Sequence, residues 1–245
     1  MKNRTLSYLF TLLLLFPLFI FGQPTMEKTN KEAVLHITPS EDFEVTGKGS
    51  SPHWNTTQWI TLPQRKADGS SYETKVKILY SPTGIYFLFQ CEDNTLTATL
   101  TEDFDDIYNE DVVEVFFWTD EGTPLYFEYE LSPLDVELPI IVPNFGGNFL
   151  GWRPWHYEGD RKTRHATSVT GGEKKSGAAI SSWTGEFFIP FSLLKPLQNV
   201  PPVKGTTWRA NMYRIDYDTG MSAWSWQPIR KNFHDYESFG TFVFD

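Results

Sequence analysis

The sequence predicts an all-β protein, an antiparallel sandwich of two sheets. Many short runs of strand-forming residues, a scarcity of credible helices and Gly- and Pro-rich punctuation between the runs carry that reading. The first clear strand is Thr74 to Tyr80, where Val76, Ile78 and Tyr80 alternate with Lys75, Lys77 and Leu79. Ser81-Pro82-Thr83-Gly84 is a turn and Ile85 to Gln90 the returning strand, so the pair is a hairpin. Asp111 to Trp118 is a strongly β-forming run of Val and Phe, turned by Asp120-Glu121-Gly122 into Leu125 to Leu131. In that strand Leu125, Phe127, Tyr129 and Leu131 share one face, and Tyr126, Glu128 and Glu130 the other.

Ser132 to Ser182 has weaker periodicity and many Gly, Pro and Asn residues, which predicts long loops around one or two irregular strands. Gly151 to Tyr157 is a candidate for one of them, and the charged Asp160 to His165 is expected to be solvated. Trp183 to Phe191 is a strand ending at Pro190, followed by a short turn to Leu194. Trp208 to Tyr217 is a long strand, Ser222 to Gln227 a further candidate, and Thr241 to Phe244 closes the chain. Trp183, Trp208 and Trp226 lie in strand-like runs and are expected in the core.

Lys2 and Arg4 precede an apolar run from Leu6 to Phe21, followed by Gly22-Gln23. This is the layout of a secretory signal over 1–22, and its core is shorter than the roughly 20 residues a spanning helix needs. A polar leader over 23–31 and a single domain over 32–245 are expected to follow, located outside the cell, in the periplasm or at the cell surface, with no membrane insertion once the signal is cleaved. No cysteine lies directly after the apolar run, and Cys91 is the only one in the chain, so no intramolecular disulfide supports the fold. Removing 1–22 takes the basic count from 21 to 19 against 31 acidic residues, a net charge of −12. That balance argues against nucleic acid and anionic lipid as partners and is neutral toward uncharged glycans. Nine tryptophans are more than a core of this size calls for, which leaves some for a binding surface.

The most informative stretch is Ile107 to Phe117, in which a charged turn runs into a strand with one carboxylate, Glu114, inside an apolar run. A carboxylate there must be solvated, paired or bonded to a ligand, because isolated burial is very costly. Arg209 and Arg214, on another strand, are the candidate partners for the pairing alternative. Tyr108 lies in the turn just before it. An aromatic plane beside a fixed carboxylate can stack on the C–H face of a sugar ring while the carboxylate accepts hydroxyl protons.

Four segments resemble family 9 carbohydrate-binding modules: Tyr72 to Asp93, Asp106 to Trp118, Trp183 to Phe191, and Trp208 to Gly240. They span most of 54–245 in the family's order. The resemblance implies a jelly-roll or immunoglobulin-like two-sheet sandwich, without catalysis, binding sugar in a slot between two aromatic side chains and holding structural calcium. It places Tyr108 and Phe233 as the slot walls, where the family has Trp, and Glu114 as the strand carboxylate. Glu128 stands where the family has a basic residue, and Gly49-Ser50-Ser51-Pro52-His53-Trp54 keeps only the Trp of the family's opening acidic motif. Asn211 and Arg209, on the Trp208 strand, are expected to support the site. Trp152 and Trp155, in a Gly-rich excursion, are candidates for an extra sugar platform. Acidic groups recur at Glu92-Asp93, Glu102-Asp103, Asp105-Asp106 and Glu110-Asp111, making Asp93, Asp106 and Asp111 candidate calcium ligands against the alternative of a solvated acidic rim.

The expected function is a secreted, non-catalytic module that recognises plant-cell-wall-type saccharides and assists carbohydrate catabolism, with a separate glycoside hydrolase as partner. One alternative is a glycoside hydrolase, which needs two carboxyls held about 5–10 Å apart. A second is a haem-binding sandwich using Met212 and His234, and a third is a sandwich mediating protein contacts at the cell surface.

Overall fold

The alternating runs become strands, and the chain turns where Gly, Pro and Asp cluster. A computed structural model describes residues 33–67, 69, 71–145 and 148–245; the segments read as signal and leader lie outside these. In chain order the strands are β1 (Val34–Pro39), β2 (Ile60–Thr61), β3 (Gln64–Lys66), β4 (Thr74–Tyr80) and β5 (Gly84–Glu92). Then come β6 (Val112–Trp118), β7 (Leu125–Leu131), β8 (Glu137–Phe145), β9 (Asn148–Phe149) and β10 (Arg153–Pro154). The last are β11 (Arg164–Thr170), β12 (Ser182–Pro190), β13 (Thr207–Asp216), β14 (Ser222–Ser225) and β15 (Gly240–Phe244). The one α-helix among the described residues is the single turn α1 (Phe191–Leu194), after Pro190.

The main hydrogen-bonded path runs β10-β8-β7-β6-β13-β15-β1-β4-β5-β12-β11. It doubles over at β1, whose first four residues pair with β15 and whose last two pair with β4, both in parallel; the other pairings are antiparallel. Two layers result. Between them lie Phe117 and Met212 of the first layer and Phe87 and Phe187 of the second, all fully buried. Phe87 stacks on its neighbour Phe187 at 5.2 Å and, across the layers, on Phe117 at 5.7 Å, ring packing worth about 1 kcal/mol per pair beyond area burial. Trp183, Trp208 and Trp226 belong to this core. Trp54 anchors the far side of the second layer, its indole N–H donating to Glu186 Oε1 at 2.8 Å.

The stretch read as long loops around one or two irregular strands carries two regular ones, and the candidate Gly151 to Tyr157 supplies only the two-residue β10. β8 occupies 137–145 and β11 opens at Arg164, inside the stretch read as solvated; the neighbouring Thr163 is buried and donates to Glu137 Oε2 at 2.5 Å. Pro139 and Pro143 do not break β8. Their carbonyls accept from Trp155 N (2.8 Å) and Leu150 N (3.2 Å), on the side away from β7. In an antiparallel strand a residue's N and C=O point the same way, so the missing proline donors fall outside the β7–β8 ladder.

The decisive feature for function is the outer face of the first layer. Instead of facing water, it carries a second cluster containing Phe116, Tyr126, Ile140, Tyr213 and Ile215, roofed by the loops before β6, after β8 and before β15. Residues 32–245 form one compact unit.

Candidate functional site

Period-two alternation sends every second residue of β6, β7 and β13 to that outer face. On β6 these include Glu114 and Phe116, and on β7 Tyr126, Glu128 and Glu130. Register sets Glu114 opposite Glu130 on one side and opposite Tyr213 on the other, with Phe116 opposite Glu128. Three carboxyl groups thus share one floor. They are 2%, 4% and 0% exposed for Glu114, Glu128 and Glu130.

The floor opens into a cavity of about 730 Å³. Tyr108, on the 3₁₀ turn Ile107–Asn109, forms one wall. Phe233 and His234, on the loop before β15, form another, and Phe149 and Trp152, after β8, a third. Phe233 lies flat on Tyr213, centroids 4.2 Å apart at 11°, and the Tyr213 hydroxyl donates to the Phe233 carbonyl at 2.9 Å. His234 stacks on Phe149 at 4.1 Å and 18°, with its Nδ1 2.5 Å from Tyr126 Oη.

Among the sequence-derived candidates, Tyr108, Glu114, Glu128, Trp152 and Phe233 meet around this one cavity. Asn211, Arg209 and Trp155 do not line it. Asn211 is fully buried beneath the loop before β15; its amide clasps the Gln227 backbone, accepting from N at 2.9 Å and donating to O at 3.2 Å. Arg209 donates to the Phe239 carbonyl at the other end of that loop. Both therefore hold the segment that presents Phe233. Trp155 donates its indole N–H to the Leu193 carbonyl at 2.7 Å and packs on the inter-sheet core. Neither arginine neutralises Glu114. Arg214 projects from the opposite face of β13, and Arg209 lies 3.8 Å from Glu121. Sequence reasoning did not single out Glu130, Phe149 or Ile140, although the β7 alternation already put Glu130 beside Glu128.

Electrostatics follow from geometry. Burial, then the neighbouring carboxyl, raises all three glutamates well above the ordinary carboxylate range: Glu130 acts on Glu114, Glu114 on Glu128, and Glu128 on Glu130. Burial pushes His234 down to about 4, so the ring is neutral at pH 7 although its Nδ1 lies 3.7 Å from Glu128 Oε2. Arg65, Lys66 and Lys231 line the outer parts of the cavity. Arg65 is committed to Ser225 Oγ (3.1 Å) and the Trp226 carbonyl (2.9 Å), and Lys66 Nζ lies 3.3 Å from Met221 Sδ.

The calcium candidates separate. Asp111 accepts the backbone N–H of Thr97 (2.6 Å) and of Tyr217 (2.9 Å), Asp106 is exposed beside Tyr108, and Asp93 pairs with Arg214 at 3.1 Å. The acidic set close enough for an ion among the described residues is Asp93, Asp216 and Asp218, with ligand atoms within 4.8 Å of one another. Arg214 already holds the first two, and Asp218 Oδ2 accepts from Tyr72 at 2.5 Å. Calcium asks for six to eight oxygens, so this arrangement favours an internal ion-pair network.

A family model described as carbohydrate family 9 binding domain-like matches residues 45–139. The chain resembles carbohydrate-binding family 9. The family 9-like segment supplies the floor (Glu114, Glu128, Glu130) and Tyr108, while Trp152 and Phe233 come from beyond it. Solved structures share the fold. A proposed carbohydrate-binding protein from Bacteroides uniformis superposes with a TM-score of 0.71 at 18% identity, over 87% of this chain and 100% of that one. A family 9 module from Caldicellulosiruptor kristjanssonii in complex with cellotriose gives 0.63 at 12%, over 87% and 94%, and its glucose complex 0.63 at 13%, over 87% and 96%. No curated protein matches the chain.

Proposed function

We propose that this chain is a secreted or surface-located, non-catalytic module that holds a short saccharide in the cavity over β6, β7 and β13. One observation carries the reading: aromatic side chains from three loops converge over a floor of three carboxyl groups in a cavity of about 730 Å³. Small-ligand pockets occupy roughly 300–1,000 Å³, a volume suited to a di- or trisaccharide rather than a polymer face. Tyr108, Trp152 and the Phe149 rim supply ring faces for sugar C–H groups, while Glu114 and Glu128 accept hydroxyl protons. At about 0.3 kcal/mol per heavy atom, a disaccharide binds at micromolar to millimolar strength. Such weak capture suits an accessory to polysaccharide breakdown, with a separate glycoside hydrolase doing the cutting and plant-cell-wall-type glycans as targets.

Calorimetric titration with glucose-, xylose- and galactose-based disaccharides tests the reading. Binding by the native protein that is lost in Tyr108→Ala and Glu114→Gln is expected; equal heats from all three proteins remove the site. A second reading draws on the raised carboxyl groups, which are also what an acid of glycoside hydrolysis requires. Oligosaccharide turnover abolished by Glu130→Gln would establish it in place of binding alone. A haem between Met212 and His234 has no such support, because Met212 lies in the inter-sheet core and His234 on the outer face.

A further inference from the structure

We propose that the saccharide taken by this cavity carries a primary ammonium group, as in a glucosamine-type amino sugar, with the charged nitrogen seated against Glu128 and Glu130. The inference rests on the reading that this cavity holds a short saccharide, and it replaces the plant-cell-wall-type glycan with an amino sugar as the ligand class. Glu128 and Glu130 are at least nine-tenths buried and line the cavity, and Glu128 Oε2 and both Glu130 carboxyl oxygens lack a hydrogen-bond partner of ordinary geometry, their nearest polar neighbours being each other and the Tyr108 backbone N–H. Buried acceptors of this kind cost about 1–3 kcal/mol each until a donor reaches them. An ammonium group brings three donors and a positive charge to one point; a neutral sugar hydroxyl brings one donor and no charge.

Among the described residues, no charged base pairs with the floor carboxyls. Among the described residues, the basic group within 4.0 Å of the three floor carboxyls is His234, near Glu128, and its ring is neutral. Arg65 and Lys66 are held by Ser225, Trp226 and Met221, and Lys231 is exposed. The other titratable groups facing the floor deepen its acidity or are uncharged: Asp106 and Tyr108 from the turn before β6, Tyr126 from β7 and Tyr213 from β13. A divalent ion fits less well, because the acids with ligand atoms gathered within 4.8 Å are Asp93, Asp216 and Asp218, elsewhere in the fold.

Proton linkage gives the inference a signature. A neighbouring positive charge favours the ionised carboxylate, so glutamates held protonated in the free pocket release protons when the ammonium binds. The native protein is titrated in slightly acidic buffer with the β-1,4-linked disaccharides of glucosamine, N-acetylglucosamine and glucose, in two buffers of different ionisation enthalpy. The glucosamine disaccharide is expected to bind about tenfold more tightly than the other two, the step a charge-assisted hydrogen bond gives. Only its heat should vary with the buffer, and Glu128→Gln should bring the affinity ratio toward one. Binding of the glucose disaccharide as tight as that of the glucosamine disaccharide, without buffer dependence, overturns the inference and leaves the saccharide reading standing. Silence with all three sugars removes both.

Discussion

The two faces of β13 treat buried acids in opposite ways. On the inner face Arg214 reaches Asp216 at 2.5 Å and Asp93 at 3.1 Å, and donates to the Glu92 carbonyl at 2.6 Å and Thr74 Oγ1 at 3.1 Å. Its guanidinium also lies 4.7 Å from the Trp224 ring centroid, sealing the cluster under an aromatic lid. On the outer face Tyr213 and Ile215 border three glutamates, and the arginine that lines their cavity, Arg65, is turned to Ser225 and the Trp226 carbonyl instead. The first arrangement pairs its charges within the protein. The second is incomplete until something enters, and that difference separates a structural charge cluster from a binding site.

The comparison breaks hardest at Arg214. Arg214→Met strands Asp93 and Asp216 without their cation and should cost about 3–5 kcal/mol in urea denaturation, with much of the loss recovered by adding Asp93→Asn and Asp216→Asn. An unchanged midpoint would mean that the cluster does not depend on the arginine. On the outer face the expected loss is in binding rather than folding. Tyr108→Ala or Glu114→Gln should weaken saccharide binding by about 1.5–3 kcal/mol while the denaturation midpoint holds or rises.

The pH dependence sharpens the contrast further. The floor glutamates have folded values above their unfolded ones, so the native state holds the extra protons. Their contribution to stability is therefore greatest below the ordinary carboxylate value of about 4.3 and declines as pH rises toward each folded value. Each group contributes up to about 1.4 kcal/mol per pH unit of decline, so Glu130→Gln should flatten the curve and stabilise the protein above neutrality. A variant whose profile parallels the native one would show that Glu130 is solvated. The smallest effect belongs to Trp59, 39% exposed but with Lys75 Nζ and Lys77 Nζ at 5.3 and 5.1 Å from its ring centroid. Trp59→Ala should change saccharide affinity less than about twofold, since the lysines already use the ring.

Much of this contrast is legible in the chain itself. Alternation in Leu125 to Leu131 puts Phe127 and Tyr129 between the layers and Glu128 and Glu130 on the other face, where they lie. Glu114 announces itself as a charge in an apolar strand. The reach of Phe233 to the same rim follows from the resemblance alone, since no local pattern links residues so distant in sequence. β8 escapes because its apolar residues belong to two faces at once, Ile140 to the outer cluster and Ile141 to the core, and two prolines mask it. The roles of Asn211 and Arg209 are equally hidden: both hold a loop, and that depends on contacts with Gln227 and Phe239 that no spacing encodes.

β1 and β15 lie side by side and point the same way, paired from Val34 with Thr241 to Ile37 with Phe244, before β1 passes on to β4. Tension drawing Val34 backward and Phe244 forward slides these strands lengthwise, so their ladder bonds share the load rather than parting one at a time. The parallel clasp thus makes the domain mechanically stiff along the line joining its two ends, whatever the loops over the cavity are doing.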